Sequence, residues 1–85
     1  AVLDGVPNNL DRQVLRISCA VALQLSRLGY GPELEPQLQE LHGELRAARP
    51  VKVCRLVQFL SWHDQQRRVV ARRDFLLALE LARAL

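Results

Sequence analysis

Four stretches of this chain space their apolar residues three and four positions apart, the interval that brings side chains onto one face of an α-helix. In the first, Leu10, Val14, Ile17, Val21, Leu25 and Leu28 form a single stripe expected to face a core. Its start is marked by Pro7, by Asn8 or Asn9 as a cap for the free backbone N–H groups, and by Asp11 at the positive end of the helix dipole. Gly29 suits a left-handed C-terminal cap, and Pro32 suits the first turn of a second helix.

The second stretch places Leu34, Leu38, Leu41, Leu45 and Ala48 inward, with Gln37, Glu40 and Glu44 outside, and tolerates Pro36 only within its first turn. Pro50 then breaks the chain and opens the third helix, over 50–62. There Val53, Leu56, Val57, Phe59 and Leu60 make a broad apolar surface, which predicts a central position. The last helix, over 72–85, turns Phe75, Ala78, Leu79, Ala82 and Leu85 inward. Leu76, Leu77 and Leu81 fall off that stripe, as do Leu15 and Leu23 on the first helix.

Composition agrees with an all-α, compact four-helix domain. Hydrophobic residues make up 49% of the 85 positions and charged ones 25%, a globular balance. Leu, Arg and Ala abound, while Thr is absent and Ile, Phe, Tyr and Trp are scarce, which disfavours a sheet. Residues 1–85 hold one core and not two. The start at Ala1 and the lack of Met are read as a domain excised from a larger protein. No apolar run of bilayer length is present and no signal pattern opens the chain, so a membrane role is not expected. Cys19 and Cys54 sit within apolar stretches, as reduced, buried thiols of a cytoplasmic or nuclear protein do. The net charge of +3 is divided unevenly: residues 1–45 carry three cations and six acids, residues 46–85 nine and three. Such a dipole steers acidic partners to the C-terminal half.

The segment "FLSWHDQQRRVVARRDF" has Phe59 four positions before His63, Trp62 immediately before it, Val70 at the eighth place and Phe75 after the twelfth. This punctuation resembles an EF-hand, the helix–loop–helix calcium module, and the resemblance implies a second, degenerate hand in the preceding helix pair. The oxygen ligands of that family are largely missing: the first, third, fifth and twelfth places hold His63, Gln65, Arg67 and Asp74, and the glycine place holds Arg68. Two guanidinium groups repel a divalent cation, so no calcium binding is expected. The same residues also suit a plain bundle, in which Ser61 and Asp64 form a capping box starting a short separate helix at Trp62.

Zinc, catalysis and other cofactors have little support. Cys19, His42, Cys54 and His63 lack the close spacing of zinc ligand pairs, and no phosphate loop or nucleophile motif accompanies them. Two binding classes remain. The favoured one is a non-enzymatic protein–protein interaction module that docks an amphipathic helical or acidic segment without calcium. Its contacts are Leu76, Leu77 and Leu81, with Arg67, Arg68, Arg72 and Arg73 reading acidic residues and Trp62 nearby. A homodimer through the same face satisfies the pattern equally. The second class is a nucleic-acid-binding domain using the basic half, with arginines on phosphates and Trp62 stacked on a base. The bland account of the leucines is a last helix buried all round.

Overall fold

The computed structural model describes residues 9–85. It is all-helical and compact, with a radius of gyration of 12.4 Å. Four α-helices follow in order, α1 (Asn9–Arg27), α2 (Glu35–Arg46), α3 (Val53–Arg67) and α4 (Arg72–Ala82), with one 3₁₀ turn at Pro32–Leu34 ahead of α2. Among the described residues there is no strand, and no helix is long and apolar enough to cross a membrane. Pro7, Asn8 and the side chains of Leu10 and Asp11, read above as start signals and stripe, lie outside the described residues.

The central element is α1 and not α3, as the apolar breadth of α3 had suggested. Helix α1 packs against α2 on one side and α4 on another. Cys19 to Ser26 are all buried, with no solvent-facing side for more than two turns. Small residues make this possible, since Cys19, Ala20, Ala22 and Ser26 let neighbouring helices approach closely. Toward α2 and α3, Cys19, Ala22 and Leu23 join Leu38, Leu41, Leu45, Val51 and Phe59 in the larger cluster, with Leu15 at its edge. Toward α4, Val21 and Leu25 meet Ala78, flanked by Phe75, Leu79 and Ala82. Leu15 and Leu23 are therefore core residues and not surplus. Conversely, Val14 and Ile17 are both 56% exposed and Leu28 is exposed too, so among its described members the expected stripe holds only at Val21 and Leu25.

Helix α3 joins the larger cluster through buried Phe59 and half-buried Leu56 and Trp62, leaving Val53, Val57 and Leu60 exposed. It begins three residues after Pro50, and the connection contributes fully buried Val51 as an anchor. Charge adds a tie to α2: the Arg55 guanidinium pairs with Glu44 and lies 3.7 Å from Glu40.

Helix ends obey local chemistry. Gly29, at φ +110°, closes α1, with the Tyr30 N–H donating to the Leu25 carbonyl at 3.0 Å. Pro36 occupies the first turn of α2, as its missing N–H requires. The other end of α2 uses Ala48 at φ +57°, with the Arg49 N–H bonded to the Glu44 carbonyl at 3.0 Å. Arg12 donates to the carbonyls of Glu44 and Arg49 at 3.3 and 2.7 Å, satisfying acceptors at that terminus.

The twelve positions 63–74 are not laid out as a loop. His63 to Arg67 continue α3 and Arg72 to Asp74 open α4, so only Arg68–Ala71 connect the helices. Nor does a separate helix begin at Trp62, because α3 runs unbroken through Ser61 and Asp64 pairs with Arg68 one turn on, at 3.2 Å.

Candidate functional site: the outer face of helix α4 and its basic entry

Helix α4 divides cleanly by side. Ala78 is fully buried against α1, with Phe75, Leu79 and Ala82 half-buried around it. On the other side Leu76, Leu77 and Leu81 are 51, 46 and 41% exposed, so α4 is not buried all round. Leu85, expected inward, is exposed beyond the helix end. Helical spacing aligns Arg73, Leu77 and Leu81 along one line and sets Arg72 and Leu76 beside it. A guanidinium thus heads each apolar row.

The four arginines differ in their engagements. Arg68 lies 3.2 Å from Asp64, and Arg73 lies 3.9 Å from Asp74, both as exposed cations. Arg67 and Arg72 have no acidic partner among the described residues. They line a hollow of about 260 Å³ with His63 and Gln66, whose apolar surface comes from Leu25, Val70 and Phe75. Arg72 and Arg73 stand at the N-terminal end of α4, where the aligned peptide dipoles are already positive. Ala71 precedes the helix and offers no side-chain cap. Only Asp74 in that first turn opposes the charge.

His63 borders this hollow, stacked on Phe59 with ring centroids 5.7 Å apart. Burial, and then the positive charge of Arg67, hold its pKa below the usual histidine value, against a smaller opposite pull from Asp64. Its Nδ1 is buried without a hydrogen-bond partner. A buried lone pair costs less than a buried N–H left without an acceptor, so the neutral ring carries its proton on Nε2.

Trp62 is not part of this constellation. Its indole is half-buried in the larger cluster and covers Gly31, whose φ of +72° belongs to the left-handed region. With Leu34, Leu38, Gln37 and Phe59 it lines a groove of about 310 Å³ between α2 and α3, with Arg55 at its side.

The four residues considered for zinc are dispersed in character and place. Cys19 is fully buried on α1, with its thiol 3.5 Å from the Leu38 carbonyl, and burial pushes its pKa up to about 12. Cys54, expected to be buried, is exposed on the first turn of α3. Both thiols are free. No group of three His, Cys, Asp or Glu among the described residues is placed to hold a metal ion.

The exposure of α4's leucines agrees with their spacing off the Phe75 stripe, although the sequence equally allowed a last helix buried all round. The hollow beside Arg67 and Arg72 was not legible in the sequence, because its apolar surface combines Leu25 of α1 with Val70 of the connection, far apart along the chain. No protein-family model, curated protein or solved structure matches this chain.

Proposed function

We propose that this domain is a non-enzymatic interaction module whose α4 outer face docks an acidic, amphipathic helical segment of a partner protein, without calcium. The observation that carries the reading is the alignment of Leu77 and Leu81 behind Arg73, exposed on a helix whose opposite side is fully buried at Ala78. Two leucines one turn apart match the i, i+4 anchors by which an amphipathic helix is received. The arginines supply the charge complement: a partner carboxylate near Arg72 or Arg67 relieves the positive potential at the start of α4. The hollow of Leu25, Val70 and Phe75 beside those two arginines suits an apolar residue flanking that carboxylate. Nucleic-acid binding has less support, because the one tryptophan suited to base stacking is engaged with Gly31.

The test is fluorescence anisotropy of a labelled helical peptide with leucines at i, i+4 and i+7 and glutamates around them. Binding to the native chain is expected to be saturable, to disappear in Leu77→Asp/Leu81→Asp, and to weaken in Arg67→Gln/Arg72→Gln. Unchanged binding in the leucine variant overturns the proposal. Sedimentation of the native chain without peptide separates this from self-association, in which the same two substitutions would convert a dimer to monomer. A DNA duplex bound in place of the peptide, with affinity falling steeply in salt, would favour the nucleic-acid reading.

A further inference from the structure

A second pocket, on the far side of α1 from the larger cluster, combines apolar walls with polar groups of one kind. It occupies about 380 Å³ where α1, α2 and α4 meet, with Ile17, Leu79 and Leu85 among its walls. Every polar side chain lining it is basic: Arg16 from α1, His42 from α2 and Arg83 just beyond α4. No acid or amide is among them, so the pocket offers donors and positive charge but no side-chain acceptor.

His42 is the informative member. It is only 7% exposed as a residue, and its ring borders the cavity. A ring buried at its base and open at the cavity presents its polar edge to whatever occupies that space. Burial holds the His42 pKa low, followed by the charges of Arg46 and Arg16, so the ring is neutral near pH 7 and offers one N–H. Arg16 has no acidic partner among the described residues. Arg83 lies 3.5 Å from Glu80, but both side chains are well exposed and such a pair is readily exchanged for a better acceptor.

We propose that this pocket binds a small aliphatic carboxylate, with its chain against Ile17, Leu79 and Leu85 and its carboxylate held by Arg16, His42 and Arg83. A space of about 380 Å³ has room for a short acid. This site is separate from the Leu77–Leu81 face and does not rest on the docking proposal.

The experiment is a heteronuclear NMR titration of the full chain with sodium octanoate, kept below its micellar range, beside 1-octanol. Octanoate is expected to shift the amides of Ala20, His42 and Ala82 saturably and to bind at least about tenfold more tightly than octanol. Arg16→Gln/Arg83→Gln, both at exposed positions, is expected to erase that preference while keeping the native spectrum. Leu77→Asp/Leu81→Asp is expected to leave octanoate binding unchanged. Absence of saturable shifts, equal affinity for octanol, or an unaltered affinity in the arginine variant overturns the proposal.

Discussion

The Tyr30 hydroxyl donates to the Asp74 carboxylate at 2.5 Å, joining the turn after α1 to the first turn of α4 across 44 positions. The same oxygen lies 3.4 Å from the Ala71 N–H, so one phenol serves both the side chain and the backbone at the start of α4. The contact seats the basic end of the helix whose leucines face outward. Asp74 was read from the sequence as the last ligand place of a calcium loop; its oxygen is used here as a structural acceptor.

Tyr30 titration is the first prediction. The bond to the Asp74 carboxylate raises the phenol pKa above its ordinary value, with a smaller opposing effect from the Ala71 N–H. The folded pKa lies above the unfolded one, so the stabilisation is fully present below about pH 10 and is lost as pH rises through the folded value. Because Tyr30 is the only tyrosine, ultraviolet titration reads it alone. Its midpoint should lie above that of an unfolded control, and Asp74→Asn should lower it. A midpoint equal to the control's would remove the contact from the account.

Gly31 is held to glycine twice over. Its φ of +72° disfavours any side chain, and a Cβ would stand 3.2 Å from Trp62 Nε1 and 3.3 Å from Cζ2. Gly31→Ala should destabilise the domain by about 1–2 kcal/mol from the backbone conformation alone. Urea denaturation measures the loss, and the fluorescence of the single tryptophan should change in the native state.

Ala48 presents the reverse case. It adopts φ +57° at the end of α2, where glycine has no Cβ to strain. Ala48→Gly should therefore stabilise the protein by about 1 kcal/mol, read as a higher denaturation midpoint. A decrease would mean that the methyl group contributes packing worth more than the strain.

The two thiols should separate in reactivity. Cys54 is exposed, whereas Cys19 is fully buried with its pKa pushed up to about 12, so almost none of it is thiolate at neutral pH. An aromatic disulfide reagent should titrate one thiol rapidly in the native protein and both in denaturant. Rapid reaction of both in the native state would contradict the buried position of α1.

Ion pairs should rank by their withdrawal from water. Arg55 and Glu44 retain 28 and 19% side-chain exposure, against 79 and 63% for Arg68 and Asp64. Glu44→Ala should cost about 1–2 kcal/mol, between surface and buried cases, and Asp64→Ala within about 0.5 kcal/mol of nothing. Paired denaturation curves decide the order.

The helices were legible because Leu38, Leu41 and Leu45, or Phe75, Ala78 and Ala82, repeat at helical intervals along a single inward face of each helix. Helix α1 defeats a one-stripe reading because it has partners on two sides: Leu23 and Cys19 face α2 and α3 while Val21 and Leu25 face α4. A helix surrounded by neighbours carries no polar face to orient it, so its spacing admits several stripes. Helix α3 misleads in the opposite sense, since Val53, Val57 and Leu60 look like core in sequence and lie exposed. The EF-like punctuation of Phe59, Trp62, Val70 and Phe75 also has a packing origin: Phe59 and Trp62 enter one cluster and Val70 and Phe75 the other. Trp62 was placed in the partner site because its proximity to the arginines in sequence says nothing about Gly31, which reaches it only through the turn before α2.

The most direct test of the α4 face is thermal unfolding of Leu77→Asp/Leu81→Asp followed by far-ultraviolet circular dichroism, with Leu23→Ala beside it. Leu23 is 3% exposed, and its truncation should cost about 2–5 kcal/mol. The double aspartate should keep native helicity and a midpoint close to that of the unaltered chain. Loss of helicity or a collapse of the midpoint in the aspartate variant would make Leu77 and Leu81 core residues and contradict the docking face.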